Sequence, residues 1–127
     1  MFGLSLGSLK SRFVLQRKDY IMQYIQIQIT VPTAETAEKT AAKLVQEKLV
    51  ACAQVCGTVH SFYSWQGKAE MNKELLLMVK TEASLFDKVV SSIREEHPYE
   101  CPQIVALPIV SCNEDYLDWM QKALCND

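Results

Sequence analysis

The stretch that decides the fold is ACAQVCGTVHSFYSWQGKAEMNKELLLMV, residues 51–79, in which two strand-like segments flank a short turn. The first segment runs from Ala51 to Trp65 and is rich in Val, Cys, Thr and aromatic residues, which favour extended structure. Gly57 within it is typical of a β-bulge. Because Gln66-Gly67-Lys68 then reads as a turn, we predict a β-hairpin.

The two strands of this hairpin are unusually long. The return strand is polar through Lys73 and continuously apolar from Leu75 to Val79, which indicates burial on both of its faces. Two strands of about 12 residues would span roughly 40 Å at 3.3 Å per residue, whereas an ordinary strand has about 5 to 6 residues. We therefore expect the hairpin to protrude from a small domain and to need a partner.

The segment before the hairpin combines one strand with one helix. Apolar residues alternate with polar ones from Tyr24 to Val31, which predicts a half-buried strand. Pro32 ends this strand, and Thr33 is a favourable N-cap for the helix that follows. The apolar residues at helical spacing are Ala34, Ala37, Ala41, Leu44, Val45 and Leu49.

Three more elements follow the hairpin. Ser84 indicates the start of a helix that must stop before His97-Pro98, because proline cannot continue it. A last main strand is predicted from Ile104 to Val110, and Pro108 places it at the edge of the sheet. Asn113 can cap a short terminal helix.

This order of elements predicts an α+β fold of the ferredoxin-like βαββαβ type. Two helices would cover one face of an antiparallel sheet, with a long hairpin between the second and third strands and an extra C-terminal helix. We expect residues 22–127 to form this single domain. Residues 1–21 are expected to be a disordered or non-native leader, and their basic, Ser-containing character leaves a transit peptide as an alternative.

Charge and cysteine content narrow the classes of function. After residue 21 the chain has nine basic and fourteen acidic residues, so its body is acidic and a nucleic-acid surface is not indicated. The five cysteines are odd in number and contain no Cys-x-x-Cys pair, which argues against a disulfide framework. No segment is apolar enough to span a membrane. We predict a cytoplasmic protein with reduced thiols, without nucleic-acid or membrane partners.

The run His97-Pro98-Tyr99-Glu100-Cys101-Pro102 carries the most metal-binding potential, because it sets an imidazole beside a thiol and carboxylates. We expect His97 at a fixed, exposed corner. The alternative is that His97 and Pro98 merely end a helix, since a histidine is also favoured near the negative end of the helix dipole. No second His or Cys stands at a recurring ligand interval.

Enzymatic functions find little support in the sequence. A cysteine nucleophile requires a base that a third group orients, and no such group accompanies His97 and Cys101. An acylphosphatase-like loop would need a base after the first strand, where Val31-Pro32-Thr33 offers none. We therefore predict a protein that is not an enzyme.

Five motifs in order make the chain resemble the CutA divalent-cation tolerance family over about Ile21 to Leu124. The resemblance implies a ferredoxin-like homotrimer, similar in architecture to the PII-type signalling proteins, whose long hairpins pair with neighbouring subunits. The motifs are Ala51-Cys52-Ala53, Trp65-Gln66-Gly67-Lys68-Ala69-Glu70, His97-Pro98-Tyr99-Glu100, Ala106-Leu107-Pro108-Ile109 and Tyr116-Leu117-Asp118-Trp119.

The resemblance also implies tolerance of, or response to, divalent metal ions, copper above all. Copper ligands in bacterial members are a cysteine in the first strand and two histidines before Pro-Tyr, and the matching positions here hold Ile29, Glu96 and His97. Since one of three ligands is retained, a replacement site would use His97 and Glu96 with Cys101. Copper or another divalent cation would be bound there, and none is needed for folding.

A rival function from another class is a PII-like trimer that binds a small ligand in clefts between subunits. Trp65, Tyr99 and Trp119 would supply aromatic walls, and Lys68 and Glu70 would supply opposite charges. An organic anion in such a cleft would depend on Lys68 and the aromatic residues, whereas a metal would depend on His97 and its carboxylate neighbours.

Overall fold

A computed structural model describes residues 23–99 and 101–125 of the chain. Its described strands and helices follow the predicted order. They are β1 (Tyr24–Val31), α1 (Ala34–Gln46), β2 (Cys52–Trp65), β3 (Lys68–Glu82), a 3-10 turn (Ala83–Leu85), α2 (Phe86–Arg94), β4 (Ile104–Pro108) and α3 (Glu114–Leu124). The leader predicted for residues 1–21 lies outside the described residues.

The four strands form one sheet in the order β2-β3-β1-β4, and every neighbouring pair is antiparallel. This order confirms the α+β, ferredoxin-like prediction. Strand β4 lies at one edge of the sheet, where Pro108 pairs with Ile25. An edge position suits Pro108 because proline has no backbone N–H to donate to a further strand.

Strands β2 and β3 have 14 and 15 residues and form the predicted long hairpin. Their turn has two residues rather than three, because Lys68 already belongs to β3. Gln66 and Gly67 have φ angles of 52° and 80°, and positive φ at both central positions is the mark of a type I′ hairpin turn. The register shifts between Val55 and Gly57, which confirms the bulge.

The hairpin extends beyond the rest of the sheet. Strand β1 pairs with β3 only from Leu75 to Glu82, so the first half of β3 has β2 as its one neighbour in the described sheet. Apolar side chains on this extension remain in contact with solvent, and Phe62 is 75% exposed. The predicted protrusion is therefore confirmed within the single chain.

The main core lies on one face of the sheet, beneath α1 and α2. Ile27 and Ile29 of β1 are fully buried there, as the alternation in the sequence predicts. They pack with Leu44 of α1, Leu77 of β3 and Val89 of α2. The Thr33 hydroxyl accepts a hydrogen bond from the Thr36 N–H at 3.1 Å, which confirms the predicted N-cap of α1.

The opposite face of the sheet is covered only at its ends. At one end Tyr24 is buried against Met120 and Leu124 of α3, so the polar side of β1 is not uniformly exposed. Near the other end, Thr30 of β1 and Glu74 of β3 are buried as well. The second end carries the candidate site.

Three element boundaries differ from the sequence-based prediction. A 3-10 turn occupies residues 83–85, so α2 begins at Phe86 rather than at Ser84. Strand β4 ends at Pro108 rather than at Val110, although the Ile109 N–H still donates to the Tyr24 carbonyl at 3.0 Å. Helix α1 ends at Gln46, before Leu49, because Lys48 adopts a positive φ of 58° that a helix cannot continue through.

Candidate functional site

A groove of about 740 Å³ lies between the protruding hairpin and the loop that follows α2. Strand β2 contributes Tyr63 and Trp65, and the loop contributes Tyr99 and Cys101. Thr30, at the end of β1, closes the groove on the side of the sheet. The groove therefore lies on the face of the sheet away from α1 and α2.

The strand register explains why these side chains meet. Tyr63 pairs with Glu70, and Ser61 pairs with Asn72. Cross-strand partners project to the same face, and alternation places every second residue of each strand there. The Asn72 side-chain amide donates to the Tyr63 hydroxyl across the hairpin, which fixes the phenol at the edge of the groove.

Glu74 forms part of the groove wall and is only 6% exposed. The Tyr99 hydroxyl donates a hydrogen bond to its carboxylate. Burial raises the pKa of Tyr99, and the negative charge of Glu74 raises it further, so the phenol keeps its proton and remains a donor. Within residues 23–99 and 101–125, no Lys, Arg or His forms a salt bridge with Glu74.

The loop carrying Tyr99 is held by His97. The His97 Nε2 lies 2.8 Å from the Thr30 carbonyl oxygen, and the His97 Nδ1 accepts from the Tyr99 N–H at 3.1 Å. Since the carbonyl can only accept, Nε2 carries the ring proton in this arrangement. The prediction of an exposed corner was wrong for His97, because these two hydrogen bonds turn its half-buried ring toward the sheet.

Glu96 points to a different neighbour. Its Oε2 lies 3.0 Å from the Lys43 Nζ of α1, and the Glu95 Oε1 lies 2.8 Å from the same nitrogen. The hydrogen bond with Glu95, then that with Glu96, raises the pKa of Lys43. These ion pairs join the end of α2 to α1, on the helical side of the sheet.

The predicted metal ligands His97, Glu96 and Cys101 thus face three different surroundings. In the part of the chain that the structure describes, no three His, Cys, Asp or Glu side chains come together in a way that could hold a metal ion. Both ring nitrogens of His97 are engaged in hydrogen bonds, whereas the Cys101 side chain lies at the groove and is exposed. The metal set remains a prediction, and His97 would have to release a hydrogen bond to ligate.

Two of the five residues predicted for a ligand cleft, Trp65 and Tyr99, line the groove. Lys68 and Glu70 lie directly opposite Trp65 and Tyr63 in the register, on the same face of the hairpin, but neither is among the residues that line the groove. Trp119 lies on α3, where its ring is 5.4 Å from that of Tyr116. A cleft uniting all five would need a second subunit and stays a prediction.

Sequence reasoning missed the acidic residue of the groove. Glu74 stands directly before the apolar run of β3, and its alternation with Leu76 places it on the face away from the helices. That signal was present, but burial of Glu74 depends on the loop around Tyr99, which no local pattern reveals. Tyr63 and Asn72 were missed for the same reason.

Comparison with known proteins gives a consistent result. The family described as CutA1 divalent ion tolerance protein matches residues 25–123. The "Divalent-cation tolerance protein CutA" of Thermus thermophilus is 45% identical over 94 residues, which cover 74% of this chain and 91% of that protein. The chloroplastic CutA protein of Arabidopsis thaliana is 36% identical over 102 residues, 80% of this chain but only 56% of the plant protein.

A solved structure has the same fold. The "periplasmic divalent cation tolerance protein CutA" of Archaeoglobus fulgidus superposes with a TM-score of 0.77 at 35% identity, covering 80% of this chain and 98% of that one. Among the described helices of the present chain, none has the length and apolar character needed to cross a membrane. By its sequence and by its fold, the chain belongs to the CutA1 divalent ion tolerance protein family.

Proposed function

We propose that this protein serves tolerance of divalent cations, copper in particular, as a non-catalytic homotrimer. The names of its relatives support the link to divalent cations. The resemblance of its motifs to the CutA family supports the number of subunits. A cytoplasmic location is part of the same proposal, although one relative is described as periplasmic and another as chloroplastic.

The protruding hairpin is the observation that carries this proposal. A two-stranded ribbon is at best marginally stable in water unless its faces are covered. Phe62, Trp65 and Met71 on the extension are 75%, 51% and 43% exposed. Phe62 and Met71 pair on one face of the hairpin and Trp65 lies on the other, so both faces expose large apolar side chains of the kind found at protein interfaces. Association with further copies of the chain would bury these side chains and support both strands.

Metal binding would use His97, Glu96 and Cys101 in a rearranged loop. An imidazole and a thiol suit copper or zinc better than calcium, which prefers oxygen ligands. Release of the His97 ring from the Thr30 carbonyl would free Nε2 for ligation, while Cys101 is already exposed. Because this rearrangement costs hydrogen bonds, we expect weaker binding than at a preformed site.

Equilibrium dialysis of the reduced protein against copper, zinc and calcium tests the metal part of the proposal. We expect bound copper or zinc without bound calcium, and loss of that metal in His97→Ala and in Cys101→Ser. His60→Ala is the matched control, because His60 is the other histidine of the chain and is exposed on β2. Binding that His60→Ala reduces as much as His97→Ala does would contradict the assignment.

A second candidate function is that of a PII-like trimer that binds a small ligand. The volume and aromatic walls of the groove favour it, since small-molecule sites are concave, largely apolar and carry a few placed polar groups. The metal and small-ligand functions separate experimentally, because the first depends on His97 and the second on groove residues such as Trp65.

A further inference from the structure

We propose that the groove binds a small organic cation, an ammonium or guanidinium group on an apolar body, with Glu74 as its counter-ion. This inference rests on the second candidate function and names its class of ligand. It differs from the proposed metal site in its charged residue, Glu74, although both sites involve the loop that carries Tyr99 and Cys101.

The charge of the groove favours a cationic ligand. Glu74 is the charged residue among the described residues that line it, and no basic side chain lines the same surface. A carboxylate that is buried without a counter-ion is costly, because burial removes its hydration. A cation that enters the groove would restore the lost electrostatic stabilisation, so the site selects for positive charge.

Glu74 also has hydrogen-bond acceptor positions left for a cationic ligand. The Tyr99 hydroxyl supplies one donor to a carboxylate that has about four acceptor positions. An ammonium group has three N–H donors and a guanidinium has five, so both can use the positions that Tyr99 leaves. Tyr99 cannot neutralise Glu74, because a phenol carries no positive charge.

The aromatic walls of the groove favour an organic cation as well. Tyr63 and Trp65 line the groove from β2, on the face of the hairpin that also carries Glu74, and Tyr99 lines it from the loop. The faces of aromatic rings carry partial negative charge and attract organic cations, with tryptophan the strongest of them. Aromatic faces together with one carboxylate are the chemistry that recognises an amine with an apolar body.

Other ligand classes fit the groove less well. A bare divalent metal would need several oxygen, nitrogen or sulfur ligands, and the described residues offer no cluster of three. An organic anion would rely on Lys68, as the sequence predicts for that case. Lys68 is paired with Trp65 at the hairpin tip and does not line the groove. Among the described residues that line the groove, the charged side chain is therefore acidic, which favours a cation.

A charge series on one carbon skeleton provides the test. Phenethylammonium, 2-phenylethanol and phenylacetate have similar size and carry a positive, zero and negative charge. Isothermal titration of the full chain with each probe should give binding of the cation that is about tenfold or more tighter than that of the alcohol. Equal affinities, or preference for the anion, would overturn the proposal.

Two matched variants locate the site. Glu74→Gln keeps the shape but removes the charge, and we expect it to weaken binding of phenethylammonium about tenfold or more. Glu82→Gln removes a carboxylate from the same face of the same strand, roughly 26 Å away at 3.3 Å per residue, and should leave binding unchanged. If Glu74→Gln fails to fold, Tyr63→Leu removes an aromatic wall that is not among the side chains proposed to be buried on association, and it should weaken binding of phenethylammonium more than binding of 2-phenylethanol.

A basic side chain from a second copy of the chain is the competing occupant of the groove. In that case Glu74→Gln would weaken self-association in sedimentation, and phenethylammonium would not bind to the assembled protein. That pair of results would overturn the proposal of a free ligand. Cation binding by a chain that remains monomeric would support it while contradicting the proposed trimer, so the two failures can be told apart.

Discussion

At the scale of one residue, His97 both follows the end of α2 and attaches the next loop to β1. The sequence places it after α2 and before a proline, and nothing local says which way its ring turns. In the structure the ring bridges the Thr30 carbonyl and the Tyr99 N–H. One side chain thereby holds the loop that carries the groove residues against the end of β1.

Replacing His97 by alanine should destabilise the protein. The change leaves the Tyr99 N–H and the Thr30 carbonyl without their partner, and loss of a partly buried hydrogen bond costs about 1–3 kcal/mol. Urea unfolding followed by circular dichroism measures the effect. His60→Ala should alter the free energy of unfolding by no more than about 0.5 kcal/mol, because His60 is exposed. Equal losses in the two variants would show that this attachment is not stabilising.

The residues of the site were predicted unevenly, for a physical reason. Trp65 and Tyr99 belong to motifs that mark them directly, and both line the groove. Glu74 belongs to the site because it interacts with Tyr99, which lies on a different segment of the chain. The ring of His97 faces the sheet because it is hydrogen-bonded to the carbonyl of Thr30, 67 positions away in sequence. Local patterns identify chemistry-bearing residues, but contacts between distant segments decide which way they face.

At the scale of elements, the hairpin depends on its two-residue turn. Gln66 and Gly67 both have positive φ, and glutamine is an unusual residue for that conformation. Glycine adopts it without steric cost, and asparagine tolerates it better than most residues. The backbone conformation of the turn thus suits Gly67 at the second position and is slightly strained for Gln66 at the first.

Substitutions at the turn should change stability in opposite directions. Gln66→Asn should stabilise the protein by a few tenths of a kcal/mol, because Asn-Gly is the preferred pair for a type I′ turn. Gly67→Ala should destabilise it by about 1 kcal/mol, because a side chain at φ 80° is strained even where there is space for it. Thermal unfolding of the two variants checks both signs. A stabilising Gly67→Ala would mean that the turn differs from the one described.

The elements themselves were predicted better than their ends. Alternation in β1 and the N-cap at Thr33 are local signals, and both were confirmed. The start of α2 was displaced because a 3-10 turn absorbs Ser84 before the helix begins. Burial of Tyr24 could not be foreseen, since it depends on α3 returning from the far end of the chain to cover it.

At the scale of the whole molecule, the described residues leave apolar side chains and both edges of the sheet exposed. Apolar side chains are exposed on the hairpin at Phe62 and Trp65, and on β4 at Val105 and Leu107. Strands β2 and β4 are also the two edges of the sheet, where backbone groups remain available for pairing. A second copy of the chain could cover both kinds of surface, which is consistent with the proposed trimer.

Sedimentation equilibrium at micromolar concentration should give the mass of a trimer. Trp65→Ala should shift the distribution toward smaller species more than Trp119→Ala does, because Trp65 lies on the protruding hairpin and Trp119 packs on Tyr116 of its own helix. The two tryptophans are similarly exposed, at 51% and 48%, so Trp119 is a fair control. A monomeric wild-type protein would remove the proposed architecture.

The pairing of β1 with β4 sets the order in which this protein can fold. Ile25 pairs with Pro108, so the sheet joins nearly the first and the last strand residues of the domain. Such non-local contacts slow folding, because a long loop must close before any contact compensates for its lost entropy. During synthesis the hairpin can form early, since its strands are adjacent, and β1 can then pair with β3. The other side of β1 must wait until β4 has left the ribosome. Until then the β4 side of β1 is an open edge, and the nascent chain is most prone to aggregation during that interval.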